Sequence, residues 1–514
     1  MKKTFLLSGL LLSGLMATAQ ERPNIILFLV DDMGLMDTSL PFDADENGNP
    51  LRHPLNDWYR TPNMERLAQT GIRFSTFYAQ SVSSPSRTSL MTGQNATRHR
   101  TTNWINAESN NRNQYGPYDW NWNGLSQNDW ILPRLLKQQG YKTIHVGKAH
   151  FGRQGSEGEF PQNLGFDVNI AGSAIGHPGS YLGEEGYGNI KGQKERAVPG
   201  LEKYHGSDTF LTEALTLEAL AEMDKAIDER RPFYLNLAHY AVHDPFTSDK
   251  RFAAHYADSD KSDRAKAYAT LIEGMDKSLG DVIDYLERKG IAENTLIIFM
   301  GDNGGDAPLG PSRGYASSAP FRGKKGSEFE GGMRVPFIIS WGKPAKGNPI
   351  QATLPIASGK IQTQMGTIMD IYPTLASLTG AQIPTDHPVD GENLKPLLTG
   401  QHDESMDNSF LMHFPHNHRG SYFTVYREGD WKLVYYYNPE HAERPDCLLY
   451  NLKEDPYERQ EISSENPAKT LEMLKRMTAR LEKEGALYPV DFDGQEIRPN
   501  LDYCSVLNKL TQII

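Results

Sequence analysis

The chain has 514 residues, of which 23% are charged, and a formal net charge of −12 at pH 7. This length exceeds the roughly 250–300 residues at which one hydrophobic core stops growing, so we expect one large domain and one smaller one. The acidic balance argues against binding nucleic acid or an anionic membrane through bulk electrostatics. An anionic ligand would therefore need a local basic pocket.

The first residues have the three parts of a secretory signal. A basic start is followed by an apolar run over residues 5–16 and then by small residues, which predicts cleavage after Ala19 and a signal over residues 1–19. The run is too short for a membrane span, which needs about 20 apolar residues, and no later run is long enough. We expect an exported, soluble protein of the periplasm or the extracellular space. Its two cysteines, Cys447 and Cys504, could pair but are too few for a disulfide framework.

Four short apolar runs each end in polar, reactive residues. They cover residues 25–30, 142–146, 233–237 and 296–300. Runs of this length without polar alternation are typical of strands buried on both faces, as in a parallel sheet covered by helices. Residues 268–286 between them have helical periodicity, and alternating strands and helices indicate an α/β domain. Because open α/β sheets bind ligands at the carboxyl ends of their strands, we expect the four polar clusters to meet in one crevice.

The pattern changes near residue 410. Aromatic and β-branched runs predict a hairpin and a third strand over residues 422–426, 431–437 and 447–452. Asn466 and Pro467 predict the start of a helix that ends before Gly485. We therefore expect a large mixed, mainly parallel sheet sandwiched by helices over residues 20–410. A smaller α+β subdomain, an antiparallel sheet plus one helix, is expected over residues 411–514.

Hard oxygen donors follow two of the predicted strands. Asp31 and Asp32 follow the first apolar run, and Asp302 and Asn303 follow the fourth. Carboxylate and amide oxygens are the ligands that Ca²⁺ and Mg²⁺ prefer, and adjacent carboxylates repel each other unless a cation lies among them. A single acidic pair after a strand is also typical of a helix cap or a solvated loop. Two such pairs predict one divalent metal site.

A hydroxyl side chain, a proline and an arginine stand together at residues 83–87. Pro85 fixes one backbone φ angle and Ser86 can cap a helix, so Ser83 is expected to lie near exposed backbone N–H groups. Arg87 adds a planar fork of donors suited to sulfate or phosphate. These five residues fit an anion site, and they fit a serine-rich surface turn before a helix equally well.

The longer stretch from Ser83 to Gly93 resembles the signature of the type I sulfatases, in the alkaline phosphatase-like superfamily. That signature reads Cys or Ser, any residue, Pro, Ser, Arg, two residues, Leu, any residue, Thr, Gly, and every fixed position matches. The resemblance covers nearly the whole mature chain and implies an alkaline phosphatase-like fold and sulfate ester hydrolysis. It also implies that a serine-accepting maturating enzyme oxidises Ser83 to formylglycine, an aldehyde that becomes the nucleophile.

The resemblance implies roles for further residues. The implied metal, usually calcium with magnesium as an alternative, has as ligands Asp31, Asp32, Ser83, Asp302 and Asn303. The implied catalytic residues are Ser83, Arg87, Lys148, His150, His243 and Lys325, and Lys148, His243 and Lys325 also contact the substrate. Ala149 replaces a tryptophan that is common between the family's lysine and histidine, and counting back from Glu330 assigns the second lysine to Lys325 rather than Lys324. His243 is the implied general acid.

Two stretches point to a sulfated sugar as substrate. Residues 104–130 are crowded with Trp, Tyr and Asn, which suit sugar rings but also serve to order long loops. His413 and His416, near His418 and Arg419, are expected to contact the sugar where the smaller domain begins; a solvated basic loop is the alternative. We therefore expect a carbohydrate sulfatase acting on a sulfated glycan. The rivals are a phosphate or phosphonate monoester hydrolase of the same superfamily, and a non-catalytic glycan-binding protein in which Ser83 is never oxidised.

Overall fold

The computed structural model describes residues 22–310, 314–420, 422–441 and 446–502. The signal expected over residues 1–19 and the possible pairing of Cys504 lie outside this part of the chain. Within the described residues, every helix is too short or too polar to cross a lipid bilayer.

Strands and helices alternate through most of the described chain, and short antiparallel strands follow. The strands are Asn24–Val30 (β1), Ile72–Phe74 (β2), Phe77–Tyr78 (β3), Lys142–Gly147 (β4), Val168–Ile170 (β5), Phe233–His239 (β6), Thr295–Gly301 (β7), Phe337–Trp341 (β8), Lys360–Gln362 (β9), Gly366–Thr367 (β10), Ser409–Phe414 (β11), Phe423–Glu428 (β12), Trp431–Tyr436 (β13) and Asp446–Asn451 (β14). The α-helices are Pro54–Trp58 (α1), Pro62–Thr70 (α2), Ser83–Thr92 (α3), Ala96–His99 (α4), Leu132–Gln138 (α5), Leu211–Asp228 (α6), Asp263–Lys289 (α7), Glu330–Met333 (α8), Ile371–Thr379 (α9) and Pro467–Glu484 (α10).

The larger sheet has eight strands in the order β5-β4-β6-β1-β7-β8-β2-β9. Neighbouring strands are parallel from β5 to β7, β8 is antiparallel to both of its neighbours, and β2 and β9 are parallel. The central strands β4, β6, β1 and β7 are buried along their whole length. The predicted large, mixed and mainly parallel sheet is confirmed.

Helices cover both faces of this sheet. Side chains of β1 alternate between two hydrophobic cores, as the two-residue period of a strand requires: Ile25, Leu27 and Leu29 lie in one core, and Ile26, Phe28 and Val30 in the other. Helices α3, α5 and α9 contribute to the first core, and α2, α6 and α7 to the second. The predicted sandwich of a sheet between helices is therefore confirmed.

The smaller sheet is antiparallel, with strands in the chain order β11-β12-β13-β14. Helix α10 packs on it, with Met473 and Leu481 in the same core as Leu433. The helix ends at Gly485, whose φ of 72° is the left-handed conformation that favours glycine. The predicted antiparallel sheet with one helix is confirmed, whereas no sequence pattern had identified β11. The boundary between residues 410 and 411 stays a prediction.

Helix α3 begins at Ser83, and the helix start predicted at Ser86 is wrong. Val82 is the N-cap residue, while Ser86 lies inside the first turn and donates its hydroxyl to the Gln80 carbonyl at 3.1 Å. Pro85 is tolerated there because N–H groups of the first turn have no partner within the helix. Ser83 is therefore the first helical residue, at the positive end of the helix dipole.

Candidate active site

The carboxyl ends of four adjacent strands, β4, β6, β1 and β7, meet at one edge of the large sheet. Lys148 follows β4, His243 lies in the loop after β6, Asp31 follows β1 and Asp302 follows β7. The first residue of α3, Ser83, reaches the same place. Because the strand order makes these ends neighbours, residues far apart in the chain share one crevice.

Three carboxylates lie together at the floor of this crevice. Oxygens of Asp31, Asp32 and Asp302 lie within 4.8 Å of one another, and all three side chains are buried. Asn303 Nδ2 donates to Asp32 Oδ1 at 2.9 Å, and Asn303 Oδ1 lies 3.3 Å from Ser83 Oγ. Four side chains thus offer hard oxygen atoms at one buried point, a donor set that fits Ca²⁺ or Mg²⁺.

Three buried cations balance these carboxylates. Each donates a hydrogen bond to one carboxylate oxygen: Lys148 Nζ to Asp31 Oδ2 at 2.7 Å, Lys325 Nζ to Asp32 Oδ2 at 2.8 Å, and Arg87 Nε to Asp302 Oδ2 at 2.9 Å. Such pairing offsets part of the large cost of removing charges from water. We call these six residues the active-site cluster.

The charges of the cluster shift pKa values in opposite directions. Burial acts to raise the pKa of Asp32, but the positive charges of Lys325 and Lys148 and a hydrogen bond from Asn303 hold that pKa well below its usual range. Burial and the negative charge of Asp31 raise the pKa of Asp302 to about 6. A divalent cation at this point would favour the ionised form of every carboxylate around it.

Ser83 Oγ lies at the centre of the cluster. Lys148 Nζ donates to it at 3.0 Å, and the hydroxyl lies 3.2 Å from Asp31 Oδ1. The residue is only 2% exposed, yet it lines a cavity of about 690 Å³. A group bound in this cavity can therefore reach position 83 while protein atoms enclose the other sides.

His150 lines the same cavity. Its Nε2 donates to the Ile105 carbonyl at 2.6 Å, so Nδ1 carries the lone pair, and Nδ1 has no hydrogen-bond partner within the described chain. Burial, followed by the charge of Lys148, lowers the pKa of His150 well below its usual value, so the ring is neutral at pH 7. The backbone φ of 54° is uncommon for a residue with a side chain and costs roughly 1 kcal/mol or more.

His243 faces the cluster from the other side of the cavity. Its Nδ1 donates to the Asp244 carbonyl at 2.8 Å, and its Nε2 lies 3.5 Å from Asp32 Oδ2. The ring of His177 stacks on it, with centroids 5.3 Å apart and planes 6° apart. Burial, followed by the charge of Lys325, lowers the pKa of His243 to about 3, so this imidazole is neutral in the free protein at pH 7.

Lys324 and Lys325 reach different carboxylates. Lys325 Nζ contacts Asp32, whereas Lys324 Nζ lies 3.0 Å from Asp306 Oδ1. Arg419 also binds Asp306, with one guanidinium nitrogen on each carboxylate oxygen at 2.6 Å. Lys325 is therefore the lysine of the two that belongs to the active-site cluster, and Lys324 lies further out on the cavity wall.

His413 and His416, which were expected to contact the substrate, lie inside the protein instead. Both nitrogens of each ring are hydrogen-bonded there: His413 to Thr424 Oγ1 and the Leu487 carbonyl, and His416 to Thr102 Oγ1 and the Arg112 carbonyl. With every polar atom satisfied, these rings serve as core residues. Their neighbours His418 and Arg419 line the cavity.

The aromatic residues of the stretch 104–130 fall into two groups: one lines the cavity, and the others order the loop. Trp104 lines the cavity, 6.1 Å from the ring of His418. Trp120 and Trp122 instead donate their indole N–H groups to oxygens of Asn110 and Asn106, both at 2.9 Å, and so order the loop. Of these three indole rings, Trp104 is the one that lines the cavity.

Four further ionisable residues of the cavity were not singled out from the sequence: His177, Arg196, Arg264 and Asp306. His177 and Asp306 lie in loops, Arg196 in a short 3-10 helix and Arg264 in the first turn of α7, and none of the four belongs to a recognisable motif. The turn sequence Gly176-His177-Pro178-Gly179 is the one local signal that could have drawn attention to a positioned histidine.

Comparison with known proteins gives a consistent result. The family model described as Sulfatase matches residues 23–381, and the model described as N-sulphoglucosamine sulphohydrolase, C-terminal, matches residues 324–486. N-acetylgalactosamine-6-sulfatase of Mus musculus is 33% identical over 401 residues, which cover 76% of this chain and 69% of that protein. A sulfatase of Formosa agariphila is 29% identical over 544 residues and covers 92% of both chains. The crystal structure of Ps i-CgsB in complex with k-i-k-neocarrahexaose has a TM-score of 0.68 and 26% identity, covering 96% of this chain and 98% of that chain.

Proposed function

Because the chain belongs to the sulfatase family and is a sulfuric ester hydrolase, we propose that it removes sulfate from a sulfated carbohydrate through formylglycine derived from Ser83. The observation that carries the proposal is the position of Ser83 Oγ, between Lys148 and Asp31 at the floor of the cavity. Relatives support the substrate class, since one is named N-acetylgalactosamine-6-sulfatase and a similar structure was solved with k-i-k-neocarrahexaose. Trp104 offers a face on which a sugar ring can stack.

The proposed metal ligands are the oxygens of Asp31, Asp32, Asp302 and Asn303, beside position 83. When bound, Ca²⁺ or Mg²⁺ supplies positive charge that stabilises negative charge developing on nearby oxygen atoms. Lys148 and Lys325 place two further positive charges where the sulfuryl oxygens would lie. In other enzymes, removing one donor of this kind costs roughly 3 kcal/mol of transition-state stabilisation.

Sulfuryl transfer begins from the hydrated aldehyde at position 83. Oxidation removes two hydrogens from the Ser83 side chain, and water then adds to give a carbon that bears two hydroxyls. One hydroxyl releases its proton to Asp31, which lies 3.2 Å from Oγ, and attacks sulfur while the bond from sulfur to the sugar oxygen breaks. His243 donates a proton to the departing sugar oxygen. The bound sulfate ester raises the pKa of His243 from its low value, because nearby negative charge favours the imidazolium form.

The second hydroxyl releases the product. His150 Nδ1, which has no hydrogen-bond partner in the described chain, takes the proton of this hydroxyl. The C=O bond of the aldehyde re-forms, the bond from carbon to the sulfate oxygen breaks, and sulfate leaves without water attacking sulfur. A plain serine has one hydroxyl, so it can accept the sulfuryl group but has no such route to release it. Unconverted protein is therefore expected to be inactive.

The test begins with production of the protein with and without a serine-accepting maturating enzyme. Mass spectrometry of the peptide that contains Ser83 should show the loss of two hydrogens in the first preparation only. Both preparations are then assayed on a panel of defined sulfated mono- and oligosaccharides, and sulfate release is expected from the converted protein alone. Sugar desulfation by protein with unchanged Ser83 would contradict the proposal. An aryl phosphate assayed in parallel tests the rival, since faster hydrolysis of the phosphate than of the aryl sulfate would favour a phosphate monoester hydrolase.

A further inference from the structure

The cavity above Ser83 is lined by six cationic side chains: Lys148, Arg196, Arg264, Lys324, Lys325 and Arg419. Five of them are paired with a carboxylate: Lys148 with Asp31, Lys325 with Asp32, Lys324 and Arg419 with Asp306, and Arg264 with Asp244. Arg196 differs, because its guanidinium has neither an ion pair nor a hydrogen-bond acceptor among the described residues.

The backbone holds Arg196 firmly in place. Its N–H donates to the Gln193 carbonyl at 2.8 Å, and its carbonyl accepts from the Gly179 N–H at 2.7 Å. Gly188 packs against the same carbonyl: a Cβ there would lie 3.2 Å from the oxygen, and the φ of 101° is a left-handed conformation that favours glycine. The backbone that carries the unpaired guanidinium is therefore fixed by two hydrogen bonds and by the contact with Gly188.

Arg196 lies on the leaving-group side of the cavity. The ring of His177 stacks on His243, the proposed donor to the departing sugar oxygen. After burial, the charge of Arg196 is the main influence that lowers the pKa of His177, and such an effect requires the two side chains to lie close together. His243, His177 and Arg196 thus all line the cavity, with His177 directly beside the proposed donor to the departing sugar oxygen.

We infer that Arg196 binds a second acidic group, a sulfate or a carboxylate, on the sugar from which sulfate is removed. A guanidinium presents a planar fork of donors that matches either anion. Since Arg196 has no protein carboxylate to give up, an incoming anion gains this contact without first breaking an ion pair. The inference rests on the proposed function and narrows its substrate class to glycans with more than one acidic group near the cleaved sulfate.

The test uses pairs of saccharides that share the cleaved sulfate and differ only in a second acidic group. In one pair this group is a sulfate and in another a carboxylate, so the pair that responds identifies the group. For the wild-type holoenzyme with converted Ser83, kcat/KM should be higher for the doubly acidic member by about tenfold or more. Arg196→Gln should lose this preference, mainly through KM. Arg196→Lys should keep part of it, because it retains the charge but not the fork.

Lys194→Gln is the matched control. Lys194 belongs to the same short 3-10 helix, Lys194–Arg196, but it is exposed and does not line the cavity. The control removes the same charge and should leave the preference intact, and added salt should weaken the wild-type preference. The inference would be overturned if the wild type showed no preference, or if Arg196→Gln lowered kcat/KM equally for both members of a pair. Either result would leave the proposed function standing. If the converted wild type released sulfate from no saccharide, the proposed function itself would fall.

Discussion

The segment from Lys325 to Glu330 has a cluster of buried charges at each end. One is the active-site cluster. The other, which we call the sheet-contact cluster, consists of Glu330, Lys432 and Glu458. Lys432 Nζ lies 3.0 Å from Glu330 Oε1 and 2.6 Å from Glu458 Oε1, and Tyr78 donates to Glu330 Oε2 at 2.7 Å. Because Lys432 lies on β13 and Glu330 begins α8, this cluster connects the smaller sheet to the segment that carries Lys325.

The two clusters use the same kinds of interaction but differ in their surroundings. The three side chains of the sheet-contact cluster are at most 1% exposed, and none of them lines the cavity above Ser83. The active-site cluster opens onto that cavity through Lys148 and Lys325. A cluster closed on all sides can only orient and stabilise the protein, whereas a cluster with an open side can accept a ligand. Substitutions should therefore separate activity from stability.

Replacement of Ser83 by alanine should have the largest effect. Turnover should fall by about 10⁵-fold or more, because the precursor of the nucleophile is gone, while the unfolding temperature should hardly change. Sulfate release and thermal unfolding measure the two quantities. Ser81→Ala is the matched control, since Ser81 is also buried but its Oγ has no hydrogen-bond partner among the described residues. An active Ser83→Ala protein would refute the assignment of the nucleophile.

Removal of the metal should have the next largest effect. Chelation, with loss of the metal verified by elemental analysis, should lower the rate of sulfate release by about 10³-fold or more, because a divalent cation contributes several kcal/mol to stabilising developing charge. Ca²⁺ or Mg²⁺ added back should restore the rate. Full activity in verified metal-free protein would overturn the role proposed for Asp31, Asp32, Asp302 and Asn303.

His243→Ala should reveal the proton donor through its dependence on the leaving group. Loss of general acid catalysis should slow sulfate release from a sugar by about 10²- to 10³-fold, because an alkoxide is a poor leaving group without a proton. Nitrophenyl sulfate should be affected much less, since nitrophenolate leaves readily as an anion. Comparison of kcat for the two substrates measures the difference, and an equal loss on both would contradict the general-acid role.

Lys432→Met should lower the stability of the protein and leave its activity unchanged, which is the opposite of what we expect for Ser83→Ala. It leaves Glu330 and Glu458 buried without their shared cation, which should cost about 3 kcal/mol of unfolding free energy. Below its unfolding temperature, the folded variant should keep its kcat. Lys475→Met makes the same change at an exposed position of α10 and should have little effect on either quantity. A reduced kcat in fully folded Lys432→Met would show that the sheet-contact cluster also positions the segment that carries Lys325.

The strength of the local signal explains how much of the fold could be predicted. The strands β1, β4, β6 and β7 are buried on both faces, so each appears as a continuous apolar run. The strands β2, β9 and β11 left no such signal: β2 and β9 have three residues each, and β9 is partly exposed. Helix α3 begins at Ser83, before Ser86, the residue predicted to cap it. A proline such as Pro85 can lie within the first turn of a helix, so it indicates that a helix starts nearby but does not identify the first helical residue.

The candidate site could be predicted where its residues adjoin strand ends or lie within the Ser83 stretch. His177 and Asp306 lie in loops, and Arg196 lies in a short 3-10 helix between loops. The positions of these segments depend on tertiary packing, and no local pattern marks such residues. His413 illustrates the converse error. It lies in β11, and its pairing with Thr424 on β12 keeps the imidazole inside the protein rather than on the cavity wall.

Glu458 provides the finest test of the comparison between the clusters. Burial raises the pKa of Glu458 from an ordinary value of 4.5 to about 7, against the opposing charge of Lys432. The folded protein therefore retains this proton up to about pH 7, whereas the unfolded chain releases it near pH 4.5. The resulting contribution to stability is fully present below pH 4.5 and is lost as the pH rises through 7.

Glu458→Gln keeps the shape of the side chain and removes its titration. The unfolding free energy of the wild type relative to this variant, measured in urea, should therefore fall by about 1 kcal/mol or more between pH 5 and pH 8. The contribution of the active-site cluster to the unfolding free energy should not change between pH 5 and pH 8 when its metal is bound, because the cation keeps the carboxylates ionised over this range. A difference that stayed constant or rose with pH would mean that Lys432 keeps Glu458 ionised. Both clusters would then consist of fully charged pairs, and access to the cavity would be the only property that separates a binding site from a structural one.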